Sequence, residues 1–484
     1  MSKLILIFSD GTGQIGGLRP DQCLSNVYKM YRAMRPGPDS PIPASKQVTF
    51  YDPGLGAGEV GGLTLRRIRN ILASAIGTGI DENVIDCYAA IIALYQPGDR
   101  ICLFGFSRGA YTVRTLANVL NLCGVPTKAA DGGSVPRFGP PLRKIARDAV
   151  KFVYNHGAGK PRQRYEEERE LKAERFRRKY GSEGIGVGGE GQGNVQPTFV
   201  GVFDTVAALG SRSATFLALG GFIVAAAVSF WLWLHATWWV AALVSLAPAV
   251  ALFWAVSVLG DQFKYFFKDE SRRIRLWNPI DWWAAWRGGH FAWWSGKHYD
   301  AYVDKEIPYL RHALSIDEAR SKFPRVPWGR TADAIWNADN GNKDWLLQLW
   351  FPGNHSDIGG SYTEEESRLS DIALRWMIDE FIAAIPDAQV RHDLLVTNED
   401  PLGLQHDQIQ GLLDAQPGWL RVLTRDRLTW TRKDRTIDPA MKLHPSVLTR
   451  LAAPAVPQMG EVKPYRPSNL QQHPTVSFHY EDVV

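Results

Sequence analysis

The sequence predicts an α/β fold: a mostly parallel sheet with helices on both faces, interrupted by an inserted pair of long apolar helices. Three observations carry this expectation. Short apolar runs alternate with helical patterns, the signature of strands buried between two helical layers. Polar, glycine-containing clusters come after those runs, where a parallel sheet places its functional loops, at the carboxyl ends of its strands. Residues Ser213–Gly260 contain no Asp, Glu, Lys or Arg.

Taken in order, the strands are expected at Leu4–Ser9, Val48–Tyr51, Arg100–Gly105, Thr198–Phe203 and Leu346–Phe351. Helices are expected at Ser25–Met34, Leu63–Ala75, Glu82–Tyr95 and Arg108–Leu122. The first strand runs into Ser9-Asp10-Gly11-Thr12-Gly13 and the second into Asp52-Pro53-Gly54. The third runs into Gly105-Phe106-Ser107-Arg108-Gly109. A Gly-x-Ser-x-Gly turn squeezed between a strand and a helix is a nucleophile elbow, which makes the expected architecture α/β-hydrolase-like. The glycines are required because the turn is tight, and a Cβ at either would meet the neighbouring strand or helix. A plain Gly-Ser turn is the other reading.

The fourth strand ends at Asp204 and the fifth runs into Gly353-Asn354-His355. Ser107, Asp204 and His355 therefore stand in the chain order Ser, Asp, His expected of that fold. A serine hydroxyl needs a base, histidine is that base near neutrality, and a carboxylate holds the imidazole. The oxyanion donors are expected to be the backbone N–H of Arg108 and the loop Gly11-Thr12-Gly13. Each assignment has a competitor. Asp204 is also read as a cap of the segment after it, and His355 as a loop residue. Asp357 stands two residues on and is read as a rival partner for His355, or as a cation ligand. Asp10 is read as a helix cap, a metal ligand or an organiser of the oxyanion loop. No His/Cys/Glu cluster has zinc-ligand spacing and no EF-hand loop is present, so no metal or cofactor is expected.

The chain has 484 residues, 45% hydrophobic and 22% charged, with a net charge of +5. That is an ordinary globular balance, large enough for two or three domains. It gives no basic stripe for a nucleic acid and suits an anionic membrane surface. The four cysteines, Cys23, Cys87, Cys102 and Cys123, lack metal spacing and suggest a reducing compartment. Leu4–Phe8 is too short for a signal-peptide core.

The uncharged insert divides into Ala214–Leu234 and Trp238–Leu259, each about 32 Å long as a helix and sufficient for a bilayer core. A transmembrane hairpin is expected, with a buried hairpin in a soluble core as the alternative. Arg212 precedes it, and Lys264, Lys268, Arg272, Arg273 and Arg275 come after it, which puts the catalytic body on the cytoplasmic side. Eleven of the 18 Trp lie between residues 231 and 294. Trp277–Trp294 is expected to lie on the membrane surface or wall a lipid access route, against a Trp-rich packed subdomain. Lys160–Tyr180 is expected as an exposed charged helix, Gly181–Gly193 as a mobile glycine-rich stretch, and the two together as a lid or a solvated insertion without chemical role. The segment after Leu451 is expected to be irregular. The division is then 1–205 for the first part of the hydrolase body, with an insertion at about 157–195. The hairpin and Trp-rich segment occupy 206–300, and the second part of the body 301–484.

Several blocks together resemble a known family. They are Phe8-Ser9-Asp10-Gly11-Thr12, Gly105–Ala110, Val202-Phe203-Asp204-Thr205-Val206 and Trp350–Gly360. Leu369–Met377 and His444-Pro445-Ser446-Val447 also look like its later blocks. The family is one of bacterial and fungal α/β-hydrolases that includes the phospholipase effectors of type VI secretion systems. The resemblance covers roughly residues 1–205 and 300–450. It implies phospholipid ester hydrolysis with Ser107 as nucleophile, Asp204 as acid and His355 as base. The long uncharged hairpin departs from the secreted effectors and favours a resident membrane-anchored enzyme, with a delivered effector as the alternative. The expected partners are a membrane lipid substrate, a bilayer, and a secretion or regulatory protein. A tethered esterase or thioesterase for a soluble substrate, and a non-enzymatic membrane-disrupting or signalling component, are the competing functions.

Overall fold

The computed structural model describes residues 2–14, 16–17, 23–54, 79–206, 212–235, 237–270, 272, 274–275, 277–292, 300–418, 421–422, 429–458 and 460–483. Its centre is a seven-stranded sheet, β1 (Leu4–Ser9), β2 (Gln47–Asp52), β3 (Arg100–Phe106), β4 (Phe199–Phe203), β5 (Tyr309–Ser315), β6 (Leu346–Phe351) and β7 (Lys442–Leu443). The spatial order is β7-β6-β5-β4-β3-β1-β2, and every pairing is parallel. The order reverses between β1 and β3, so a crevice opens at their carboxyl ends.

Side-chain alternation explains the two layers. Ile5, Ile7, Ile101, Leu103, Val200 and Val202 face one core, closed by helices Gly79–Leu94 and Arg108–Cys123. Leu4, Leu6, Phe8, Cys102, Phe104 and Phe203 face the other, closed by helices Asn26–Met34 and Arg368–Ala384. A third cluster joins Leu314 and Trp350 to Val447, Leu451, Tyr465 and Val476. The segment after Leu451 is thus irregular, with one short ribbon, but packed. The helix expected at Leu63–Ala75 lies outside the described residues, as do Arg273 and Trp293-Trp294.

Strand β5 is missed by periodicity because Arg311 and His312 interrupt its apolar run. Both are buried but partnered. Arg311 donates to Glu380 Oε2 at 2.5 Å and to the Leu310 and Asp344 carbonyls at 3.0 and 2.9 Å. His312 lies between Gln348 and the Thr205 amide. Paired in this way, polar side chains are tolerated in a central strand.

The charged insertion is more than a solvated helix. In Glu166–Tyr180, Ala173, Phe176 and Tyr180 join the core. Arg177 donates to the Leu122 carbonyl at 2.7 Å, and Arg175 to the Phe267 and Lys268 carbonyls at 2.9 and 2.6 Å. The glycine-rich stretch after it forms an antiparallel ribbon, Glu183–Ile185 with Gly191–Gly193.

The apolar insert folds as two helices, Arg212–His235 and Trp238–Gln262, with Trp233 Nε1 donating across to Ser245 Oγ at 3.1 Å. Trp231, Trp233, Trp238 and Trp239 are exposed near the connection. Among the described residues, however, no helix is long and apolar enough to cross a membrane. The expected transmembrane pair is therefore corrected to a helical hairpin whose bilayer crossing is unsupported. Beyond it, Phe263–Lys264 pairs antiparallel with His290–Phe291. Between those strands lies helix Pro279–Arg287, which buries Asp281 and Ala285 and exposes Trp282, Trp283 and Trp286. Trp277 is exposed as well, so the described tryptophans of this segment are not packed together in a core.

Candidate active site

Strand register decides where the three candidate side chains start. Ser9 pairs with Gly105, and Phe106 pairs with Phe203, so the chain leaves β1, β3 and β4 side by side. The next residues are Asp10, Ser107 and Asp204. His355 arrives from β6 as the first residue of the short helix His355–Gly359.

Ser107 occupies φ 58°, ψ −121°, a backbone state that side chains disfavour. A Cβ at Gly109 would fall 2.0 Å from the Ser9 carbonyl oxygen, and one at Gly105 would fall 2.5 Å from the Gly109 oxygen. The turn closes only with glycine on both sides of the serine. Ser107 caps helix Arg108–Cys123, so the Arg108 amide sits at that helix's N-terminus.

The structure brings Ser107, His355 and Asp204 into one hydrogen-bonded chain. His355 Nε2 lies 2.8 Å from Ser107 Oγ, and His355 Nδ1 lies 2.5 Å from Asp204 Oδ2. All three are buried. Phe106 stacks on the imidazole at 4.7 Å and Phe323 meets its edge at 5.6 Å, fixing the ring plane.

Asp204 also sits at positive φ, 38°. Its Oδ1 accepts from the Ser315 amide at 3.1 Å. Arg435 grips both carboxylate oxygens, Nη1 to Oδ1 at 2.5 Å and Nη2 to Oδ2 at 3.0 Å. Burial alone would raise this carboxyl, but the Arg435 guanidinium and His355 outweigh it and hold Asp204 well below the usual carboxylate range. Sequence reasoning misses Arg435. It stands among Arg432, Lys433 and Asp434, and only the fold brings it to Asp204.

Asp357 does not take the place of Asp204. Its carboxylate accepts from the Asn354 and His406 amides at 3.0 and 3.1 Å and meets His406 Nδ1 at 2.7 Å. With Asn354 as the N-cap, it forms the capping box that fixes the turn before His355. Burial raises its pKa.

Asp10 organises the loop after β1. It accepts from Ser25 Oγ at 2.5 Å, Tyr51 OH at 2.8 Å and the Gly11 amide at 2.7 Å. Burial pushes its carboxyl up to about 6. The Gly11 amide is thereby turned to Asp10, which corrects its reading as an oxyanion donor. Thr12 and Arg108 keep that candidacy. The loop is close enough, since a Cβ on Gly11 would lie 3.3 Å from Ser107 Cβ. Among the described residues, no group of three or more His, Cys, Asp and Glu is placed to hold a metal ion.

The family described as "T6SS, Phospholipase effector Tle1-like, catalytic domain" matches residues 3–239 and 260–380. The uncharacterized protein YEL023C of Saccharomyces cerevisiae (strain ATCC 204508 / S288c) is 32% identical over 136 residues, 27% of this chain and 19% of that one. The match thus spans about a fifth of that relative's length. A crystal structure of an uncharacterized protein from Pseudomonas aeruginosa is 14% identical with a TM-score of 0.35, covering 88% of this chain and 52% of the other. The structure of the Tle1 effector bound to the VgrG spike of the type 6 secretion system is 15% identical with a TM-score of 0.28, covering 76% and 53%. Likenesses that low carry no argument, whereas the family match takes in most of the sheet and the Ser107 elbow. The chain belongs to the family of type VI secretion Tle1-like phospholipase effector catalytic domains.

Proposed function

We propose that this chain is a serine hydrolase that cleaves carboxylic ester bonds of lipids, phospholipids first among them. The observation that carries the reading is the unbroken line Ser107 Oγ, His355 Nε2, His355 Nδ1, Asp204 Oδ2 at the carboxyl ends of parallel strands. His355 takes the hydroxyl proton as Ser107 attacks the ester carbonyl carbon. Asp204, kept ionised by Arg435, stabilises the imidazolium. The Arg108 and Thr12 amides are the donors to the tetrahedral oxyanion. The imidazolium then protonates the leaving alcohol, and an acyl-Ser107 ester remains. Water, deprotonated by His355, releases the fatty acid and restores the hydroxyl.

The family supports lipid as substrate. It also favours a delivered effector, with a secretion-system protein as partner, over a resident enzyme anchored in the cytoplasmic membrane. Arg108 adds a local argument. Its partly buried guanidinium is lowered to about 10 by desolvation, with no carboxylate among the causes, and it stands beside the nucleophile. A cation so placed suits an anionic headgroup. The hairpin and the exposed tryptophans are the surface proposed to meet the lipid.

Fatty acid release from mixed phospholipid vesicles tests the reading, with wild type and Ser107→Ala compared with and without calcium. Release by wild type alone is expected, with a loss of roughly 10⁴-fold or more in the variant. Equal release by both proteins would remove Ser107 from the chemistry. Cleavage of short soluble esters but not of vesicles would move the substrate away from lipids.

A further inference from the structure

A second site is built where the hairpin rejoins the body. Here a cleft of about 210 Å³ is lined by Lys172, Arg175, Lys264 and Arg272, by the carboxylates Asp269 and Glu270, and by Phe152 and Phe266. An adjoining cleft of about 300 Å³ shares Phe152, Lys172 and Arg175 and continues along Val153 and Phe176. Four cations in the first cleft thus face two carboxylates. Arg175 is paired with Glu270 at 3.2 Å. Lys264 is buried, donates to the Asp261 carbonyl and lies over the Phe152 ring. Lys172 donates to His156 Nδ1 at 2.9 Å. Glu168 acts on Lys172, and Asp81 and Asp261 act on Lys264, but among the described residues none of them forms a direct ion pair with either lysine. Desolvation lowers Lys172 to about 7 and Lys264 to about 8. Ammonium groups held this way gain strongly from an anion.

The surroundings of the cleft indicate which anion. Lys264 comes two residues after the end of the apolar helix Trp238–Gln262, and its strand partner His290 comes after the helix that exposes Trp282, Trp283 and Trp286. Tryptophan on a surface beside clustered Lys and Arg is the pattern of a group resting in the headgroup layer of an anionic bilayer. We propose that this cleft binds the phosphate of an anionic phospholipid headgroup and seats the chain on its membrane, apart from the Ser107 site. The proposal rests on the lipid surface as the place of action but not on hydrolysis. Lys172 and Lys264 supply the phosphate's counter-charge, and the wall of Phe152, Val153 and Phe176 lies where the glycerol and the first acyl carbons would continue.

The test uses full-length Ser107→Ala protein, so that no lipid is consumed, floated with vesicles of phosphatidylcholine alone or with phosphatidylglycerol added. Lys172→Gln/Lys264→Gln is expected to lose about tenfold or more of its partition onto the anionic vesicles and little on the neutral ones. Lys172→Arg/Lys264→Arg, which keeps the charge, should retain most of it. The same Gln pair with Ser107 intact should cleave a short soluble ester at the wild-type rate, which separates lost binding from misfolding. Unchanged partition, or equal loss on both vesicle types, would overturn the proposal. Full displacement by millimolar inorganic phosphate at constant ionic strength would overturn it in favour of a free-phosphate site. Retained binding alongside absent fatty acid release by wild type would instead sink the hydrolase reading and leave this one standing.

Discussion

Arg435→Gln isolates the group on which Asp204 depends. Arg435 makes two hydrogen bonds to that carboxylate and two more to the Ser315 and Phe323 carbonyls, at 3.2 and 3.1 Å. Removing it leaves a fully buried carboxylate with only His355 and the Ser315 amide. Breaking a buried pair by deleting one partner costs about 3–5 kcal/mol. The sign of the pH dependence comes from the carboxyl's shift. In the wild type it is depressed, so it contributes stability above its unfolded value of about 3.9, and that stability is lost as pH falls toward the depressed value. In the variant, burial is expected to dominate and raise the carboxyl, reversing the trend. Urea unfolding should therefore show a gap of about 3–5 kcal/mol at pH 7 that narrows toward pH 4. On a short soluble ester kcat should fall more than KM and partly recover at alkaline pH, where Asp204 ionises again. A gap of equal size at both pH values would refute the electrostatic account and leave Arg435 a packing residue.

The parts of this arrangement that are legible in the sequence are those whose cause is local. Leu4–Ser9 and Arg100–Gly105 are apolar at almost every position because both faces of a central parallel strand are covered, so a run of six or so residues carries the whole signal. The Ser107 elbow is legible because its steric demand falls on residues two positions away on either side. Asp204 and His355 are reached from strand ends and chain order, and register makes them meet. The hidden parts depend on distant partners. Arg311 and His312 look unfit for a buried strand until Glu380 and Gln348 are placed beside them. Arg435 is 231 residues from Asp204 and has no spacing to betray it. The Gly11 amide looks free to serve an oxyanion because nothing local says that Asp10 folds back onto it. Lys442–Leu443 is too short to carry a period at all.

Three further perturbations test the physical reasoning. Gly109→Ala puts a Cβ 2.0 Å from the Ser9 carbonyl oxygen, a backbone atom of a central strand, so helix and strand must part. A loss of about 3 kcal/mol or more in urea unfolding is expected, and a well-folded, active variant would contradict the elbow geometry. Asp52 accepts from Ser9 Oγ at 2.7 Å and Asn83 Nδ2 at 2.9 Å, and burial pushes its carboxyl up to about 7. A raised carboxyl contributes stability that is full below its unfolded value of about 3.9 and is lost as pH rises to about 7. Asp52→Asn should flatten this stretch of the Tm-against-pH curve, and parallel curves for both proteins would reject the assignment. The last test concerns strain. Among described non-glycine residues only Ser107, Asp204 and Ser361 have positive φ, and two of these belong to the candidate triad. Ser107→Ala and Ser107→Gly both remove the nucleophilic oxygen, but only the glycine lacks the Cβ that makes φ 58° costly. At an ordinary position glycine is less stable than alanine by about 0.5–1 kcal/mol, whereas a strained site stores about 1–3 kcal/mol. The order should therefore invert here, with the glycine variant more stable than the alanine variant by about 1 kcal/mol in urea unfolding. An alanine variant that is the more stable of the two would mean that the elbow holds its serine without strain. The glycine requirement would then come only from the close approach of β1.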